Sequence, residues 1–188
     1  MRSLEGIHEE FGRKVGVNLF EKVFNTLASL IPEDWEICLA SEGPDQKYYA
    51  GIVRGINNGT PIHCDWVPYD TLTEPWAIAR VTNQAVFNLY ISDVPGGDTQ
   101  VHDYLWNPEA LAYRDPASYG YFPELVTGRK RARFHPSAGD LCIFNSRNMH
   151  QVFPVDAGCK RRRMAMASFF GVLPPLKPGE KTKLIFWS

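Results

Sequence analysis

The sequence predicts an α+β chain, mainly β: a double-sheet jelly roll with N-terminal helices packed on it. Two observations lead to this. A single long amphipathic helical stretch lies near the start of the 188 residues. Beyond residue 35 the apolar runs become short or alternating and are punctuated by Gly, Pro, Asn and Asp, the pattern of strands joined by turns. No repeat, low-complexity segment or boundary interrupts the pattern. The chain therefore reads as one domain over 1–188, with a helical part over 1–34 and a β core over 35–188.

The helical stretch runs from Val17 to Ile31, with Leu19, Phe20, Val23, Phe24, Leu27, Leu30 and Ile31 on one side, and Pro32 stops it. Strand-like runs follow at 35–40, 48–56, 77–92, 99–106, 131–135, 140–145, 149–155, 161–173 and 182–187. A short helix is expected over 108–115.

With 44% hydrophobic residues the chain can bury a sizeable core, yet no run of 18 apolar residues exists to span a membrane. The stretch from Met1 to Glu10 has no apolar run suited to secretion, and the four cysteines (Cys38, Cys64, Cys142, Cys159) are scattered. A reduced, cytoplasmic protein is the expectation. A net charge of −1 gives no polyelectrolyte signal. Two basic clusters, Arg129 to Arg131 with Arg133 and Lys160 to Arg163, read more simply as solvated strand edges than as a nucleic-acid groove.

His63-Cys64-Asp65 closes an extended segment, and residues i and i+2 of a strand project to one side. His150 is the best third ligand. Two imidazoles and a carboxylate on one face of an octahedron leave three positions open, enough for a chelating 2-oxo acid and O₂, as in non-haem Fe(II) oxygenases. An isolated H-x-D is common, and a lone histidine beside a strand is more often structural. His8 falls in a terminal helix, while His102 and His135 lack a matching carboxylate pattern. After His150 comes Gln-Val-Phe-Pro-Val155, then a turn over Asp156 to Cys159, then Lys160 to Gly171. A four-residue turn would make a hairpin pairing 152 with 163 and 150 with 165. Arg161 and Arg163 would then point inward with His150, and Arg162 outward, offering a buried guanidinium to a carboxylate. One residue more or fewer in the turn would reverse this.

These motifs resemble the Fe(II)/2-oxoglutarate-dependent oxygenases, specifically the small-molecule branch that includes hydroxylases and halogenases of natural-product biosynthesis. The resemblance runs from His63 to Pro174 through Trp76 to Tyr90, Gly96-Gly-Asp-Thr99, Gly139-Asp140, Phe144 to His150 and Arg163-Met-Ala165. It implies a double-stranded β-helix (cupin-like jelly roll), Fe(II) held by His63, Asp65 and His150, and 2-oxoglutarate and O₂ as co-substrates. It further implies an arginine for 2-oxoglutarate, Arg163 or Arg161, with Gln84 or Asn88 as hydrogen-bonding partners of its head group. Many relatives follow that arginine with x-Ser, where this chain has Ala165. Halogenases of this pattern carry Gly or Ala at the position of Asp65, so the intact carboxylate favours oxygen insertion.

The expected activity is therefore hydroxylation, or another oxidation, of a C–H bond in a small molecule of secondary or amino-acid metabolism. Two other readings are a 2-oxoglutarate oxygenase acting on nucleic acid or protein, and a non-catalytic jelly-roll binding module. The aromatic segment from Tyr104 to Tyr121 suits a lid over the mouth or core packing equally. Relatives with more chain before H-x-D suggest a pared-down lid here, or a homodimer whose second subunit completes it.

Overall fold

The computed structural model describes residues 4–188. Helix α1 spans Leu4–Val15 and α2 spans Leu19–Ala28. The α2 helix is shorter than the apolar periodicity predicts, because Asn18 caps it, accepting from Glu21 N–H at 3.1 Å, and Ser29 ends it. Leu30 is left exposed.

Ten strands follow: β1 (Glu36–Leu39), β2 (Ile52–Gly55), β3 (Thr60–His63), β4 (Asn83–Tyr90), β5 (Thr99–Leu105), β6 (Arg131–Phe134), β7 (Leu141–Phe144), β8 (Asn148–Val152), β9 (Met164–Leu173) and β10 (Lys183–Trp187). They form a major sheet ordered β1-β10-β9-β4-β7, with β2 also on β9, and a minor sheet ordered β3-β8-β5-β6. The nine strand-like runs in the sequence each cover one of these strands, β8 starting one residue before its run, and β3 falls in none of them. The exception in extent is 77–92, whose first residues form a 3₁₀ turn at Ala77–Arg80. The 108–115 segment is also a 3₁₀ turn, Pro108–Tyr113.

The predicted hairpin between residues 150 and 165 does not form. Strand β8 pairs with β3 and β5 in the minor sheet, while β9 pairs with β4, β2 and β10 in the major one. The residues between them cross from one sheet to the other, as a jelly roll requires. Asn57 holds the end of that crossing, its side chain donating to Arg161 O and accepting from Arg163 N–H.

Period-two alternation sorts the side chains into layers. Phe87 of β4, Met166 of β9 and Phe186 of β10 point outward into a cluster closed by Val23 and Leu27 of α2. Phe87 and Phe186 are fully buried, each contributing about 1.5–3 kcal/mol through burial. A second cluster, around Ile62, Met149, Trp106 and Tyr121, covers the outer face of the minor sheet. Trp106 and Tyr121 of the aromatic segment are therefore core, with Trp106 Nε1–H donating to Tyr121 OH at 2.8 Å, while Tyr113 and Tyr119 stay exposed. The 129–133 basic cluster runs onto edge strand β6, where Arg133 pairs with Asp98 at 2.7 Å. Among the described residues no helix is long and apolar enough to cross a membrane.

Candidate functional site

The inner faces of the two sheets enclose a cavity of about 290 Å³ that reaches His63, Asp65 and His150 as well as Arg163. Antiparallel pairing sets His63 of β3 opposite His150 of β8. The alternation that sends Ile62 and Met149 into the outer cluster turns both imidazoles inward, with ring centroids 4.2 Å apart. Each ring is held alike. His63 Nδ1 lies 2.9 Å from Pro61 O and His150 Nδ1 lies 2.8 Å from Asn148 O, the carbonyl two residues earlier. Donating Nδ1–H there leaves the Nε2 lone pair for a ligand.

Asp65 sits just past the end of β3, and its backbone is pinned from two directions. Its N–H donates to Ser146 O at 2.9 Å. Its carbonyl accepts from Gln84 Nε2 and Ser146 Oγ, both at 3.0 Å. The carboxylate Oδ2 then stands 3.4 Å from His150 Nε2 and 3.8 Å from His63 Nε2. The three ligand atoms lie within 4.8 Å of one another, and no other such group of three occurs among the described residues. An octahedral ion bonded at about 2.1 Å would set neighbouring donors about 3 Å apart, so small side-chain rotations would close the site. Two nitrogens and one carboxylate oxygen suit Fe(II).

Burial, with His150 beside it, pushes His63 down to about 4. Burial raises the Asp65 carboxyl, but the hydrogen bond and charge of His150, then His63 and Arg54, outweigh it and hold Asp65 below the ordinary carboxylate value. At neutral pH His63 is thus an uncharged donor and Asp65 an anion. A histidine lowered from 6.5 to about 4 binds its proton more readily in the unfolded chain. Its contribution to stability is present above pH 6.5 and is lost as pH falls from there through about 4. We expect the metal-free protein to lose on the order of 3 kcal/mol across this window from His63. Denaturant titrations at several pH values check this, with His63→Asn flattening the slope.

At the cavity's other end Arg163 is 4% exposed. Its Nε–H donates to Gly97 O at 2.8 Å, and Nη2 donates to Thr99 Oγ1 at 3.0 Å and Tyr90 OH at 3.2 Å. The close approach depends on Gly97: its φ is +73°, and a Cβ there would lie 2.8 Å from Arg163 Cδ.

Of the residues singled out in the sequence, His63, Asp65, His150, Arg163 and Asn88 line the cavity. Arg161 does not: it is exposed on the crossing segment. Gln84 is 3% exposed but is not a lining residue, because its amide bridges Asp65 O and Val67 N–H. It braces the backbone at Asp65. Gln84→Ala should therefore weaken metal binding by about tenfold or more while leaving 2-oxoglutarate affinity at saturating metal nearly unchanged, as paired titrations would show. Sequence reasoning missed Ser146, Tyr90 and Thr99. Tyr90 was legible as the β4 position two residues beyond Asn88, on the same face. Ser146, fully buried, carried no local signal.

No model of a known protein family matches the chain. It is 32% identical over 185 residues to leucinostatins biosynthesis cluster protein S of Purpureocillium lilacinum, covering 97% of this chain and 74% of that protein. It is also 32% identical over 129 residues to an L-gamma-glutamyl-L-propargylglycine hydroxylase of Streptantibioticus cattleyicolor, covering 66% of this chain and 45% of the hydroxylase. Its fold is similar to that of an N-substituted L-amino acid dioxygenase from Burkholderia ambifaria, solved in complex with alpha-KG. That match has a TM-score of 0.53 and 18% identity, and covers 81% of this chain and 58% of the dioxygenase. The chain thus spans less than two thirds of the length of the hydroxylase and of the dioxygenase. At 32% identity over 97% of its length and 74% of the relative's, the chain belongs to the same family as leucinostatins biosynthesis cluster protein S, and it shares the fold of the N-substituted L-amino acid dioxygenase.

Proposed function

We propose that this protein is a dioxygenase that hydroxylates, or otherwise oxidises, a C–H bond of a small molecule in secondary or amino-acid metabolism. His63, Asp65 and His150 would hold the iron, and Arg163 would take the distal carboxylate of 2-oxoglutarate. One observation carries the reading: three convergent ligand atoms and a buried guanidinium line the same cavity. The metabolic setting follows the similar proteins, one a biosynthesis cluster protein and the other a hydroxylase of an amino-acid derivative.

Bound together, Fe(II) and 2-oxoglutarate supply the oxidation of a substrate C–H bond by O₂, with release of succinate and CO₂. The protein's part is placement. Pro61 O and Asn148 O fix the two imidazoles, and Ser146 and Gln84 fix Asp65. Gly97, Thr99 and Tyr90 hold the Arg163 fork. Asn88 faces the cavity between these ends and would bond the head group of the co-substrate. Val86, Phe144, Val152 and Phe169 complete apolar walls that keep water from the reacting centre. A polymeric substrate has less support, since Arg133 of the basic cluster is engaged with Asp98 and packs over Phe153.

The test is succinate formation with Fe(II) and 2-oxoglutarate, read together with product masses from a substrate library. No succinate under any condition, with both bound, would exclude the dioxygenase reading. Asp65 decides the outcome of the oxidation. Wild type should oxygenate its substrate with no dependence on chloride beyond ionic strength. Asp65→Gly should lose most hydroxylation and halogenate poorly or not at all, because a vacated ligand position does not by itself hold a halide without a supporting outer shell. Mass spectrometry in chloride or bromide buffer reads both results, and a halogenated wild-type product would overturn the hydroxylase assignment.

A further inference from the structure

The cavity has a second cation besides Arg163. Arg54 lies on β2, the short strand that pairs only with β9, and its register partner is Ala165, which pairs on its other side with Tyr90. Residues on one rung of a sheet share a face. Tyr90 lines the cavity, and Arg54 lines it too, from the rim, where it is exposed. An arginine on an edge strand commonly points to water and discourages aggregation. This one points to the inner side. Among the described residues no carboxylate lies within ion-pair distance of it. Its field reaches the Asp65 carboxyl and favours the ionised form. Across the cavity Tyr119, half exposed, packs edge-on against His63 at 5.3 Å between ring centroids. The rim beside the metal ligands thus offers an aromatic wall and an unpaired guanidinium.

Charge balance says what that guanidinium is for. On the proposed function, iron and 2-oxoglutarate carry equal and opposite charges, and Arg163 balances Asp65. Arg54 is left as the uncompensated cation of the loaded cavity. Its planar fork suits a carboxylate better than any neutral group. We propose that Arg54 binds a carboxylate of the substrate, so that the protein acts on small organic acids and discriminates against their neutral amides. This inference rests on the dioxygenase reading. It assigns Arg54 to substrate recognition, with Tyr119 bounding the same mouth.

The experiment is anaerobic calorimetry on protein loaded with Fe(II) and 2-oxoglutarate, loading being verified by its weak visible charge-transfer band. The probes are free amino acids, dipeptides and monocarboxylic acids, each beside its carboxamide. At least one acid should bind, and its amide should bind about tenfold more weakly or worse, the loss expected for a charge-assisted contact. Arg54→Gln should erase that preference while keeping the band and the 2-oxoglutarate affinity. Arg54→Lys should keep part of it, and Arg162→Gln, a change of equal charge outside the cavity, should keep all of it. Added salt should weaken binding of the acid more than of the amide, because the rim is exposed. Equal binding of acid and amide, no binding by any acid, or an unchanged preference in Arg54→Gln would overturn the proposal. Absence of the band in wild type would overturn the dioxygenase reading and this inference with it; with the band present, the acid–amide comparison judges Arg54 alone.

Discussion

Replacing His150 with alanine is expected to weaken iron binding by more than about 100-fold, beyond the range seen for loss of an outer hydrogen-bonding partner, and to end 2-oxoglutarate turnover. His150 is 5% exposed and sits mid-sheet, paired with His63 on one side and Val101 on the other. Its Nδ1 is already committed to Asn148 O, so Nε2 is the only nitrogen it can offer a metal. Removing it leaves one imidazole and one carboxylate, too few to define a face of an octahedron. His63→Ala should do the same. His135→Ala is the control, because His135 is a surface partner of Asp98 and lies outside the cavity. Equilibrium dialysis with Fe(II) and a succinate assay read both effects. Retention of iron and normal turnover in both variants would rule out this triad.

The second large effect concerns the other end of the cavity. Arg163→Ala should weaken 2-oxoglutarate binding by roughly 2–5 kcal/mol, since it strands a buried carboxylate without its charged partner. Arg162→Ala should change little, because Arg162 is exposed. Arg163 also ties Gly97, Thr99 and Tyr90 together, so its loss will cost some stability. Arg163→Lys separates the two roles: it restores charge but not the fork, and should recover only part of the affinity. Titration of 2-oxoglutarate into metal-loaded protein measures this. A damaging Arg162→Ala beside a harmless Arg163→Ala would place the co-substrate elsewhere.

Nine of the strands were legible because each sits between turn residues and alternates or runs apolar; β3, four residues with a proline (Thr60-Pro-Ile-His63), gave no such run. The ligand pair His63 and Asp65 was legible because i and i+2 share a side on extended chain. Strand partnership was not. The inward direction of Arg163 was expected from a β8–β9 hairpin that does not exist; Arg163 stands just before β9, where Asn57 holds its backbone and Gly97, Thr99 and Tyr90 hold its side chain. Local sequence cannot distinguish a hairpin from a crossing between sheets, because both need a turn followed by a strand. Gln84 shows the same limit. The resemblance offered it as a partner of the co-substrate, but only the tertiary structure reveals that its amide braces Asp65 and Val67. Tyr119 lies against His63 because the bridge between Ile62 and Tyr121 brings a distant loop to the mouth.

The most direct single measurement is anaerobic titration of Fe(II) into protein saturated with 2-oxoglutarate, followed by visible absorption. With His63, Asp65 and His150 supplying the iron and Arg163 the co-substrate, wild type should develop a weak charge-transfer band that saturates at one iron per chain. His150→Ala should show none, and Arg163→Ala should need far more 2-oxoglutarate to reach it. A wild-type protein that binds both iron and 2-oxoglutarate yet shows no band, or a His150→Ala variant with an unchanged one, would contradict chelation at this site.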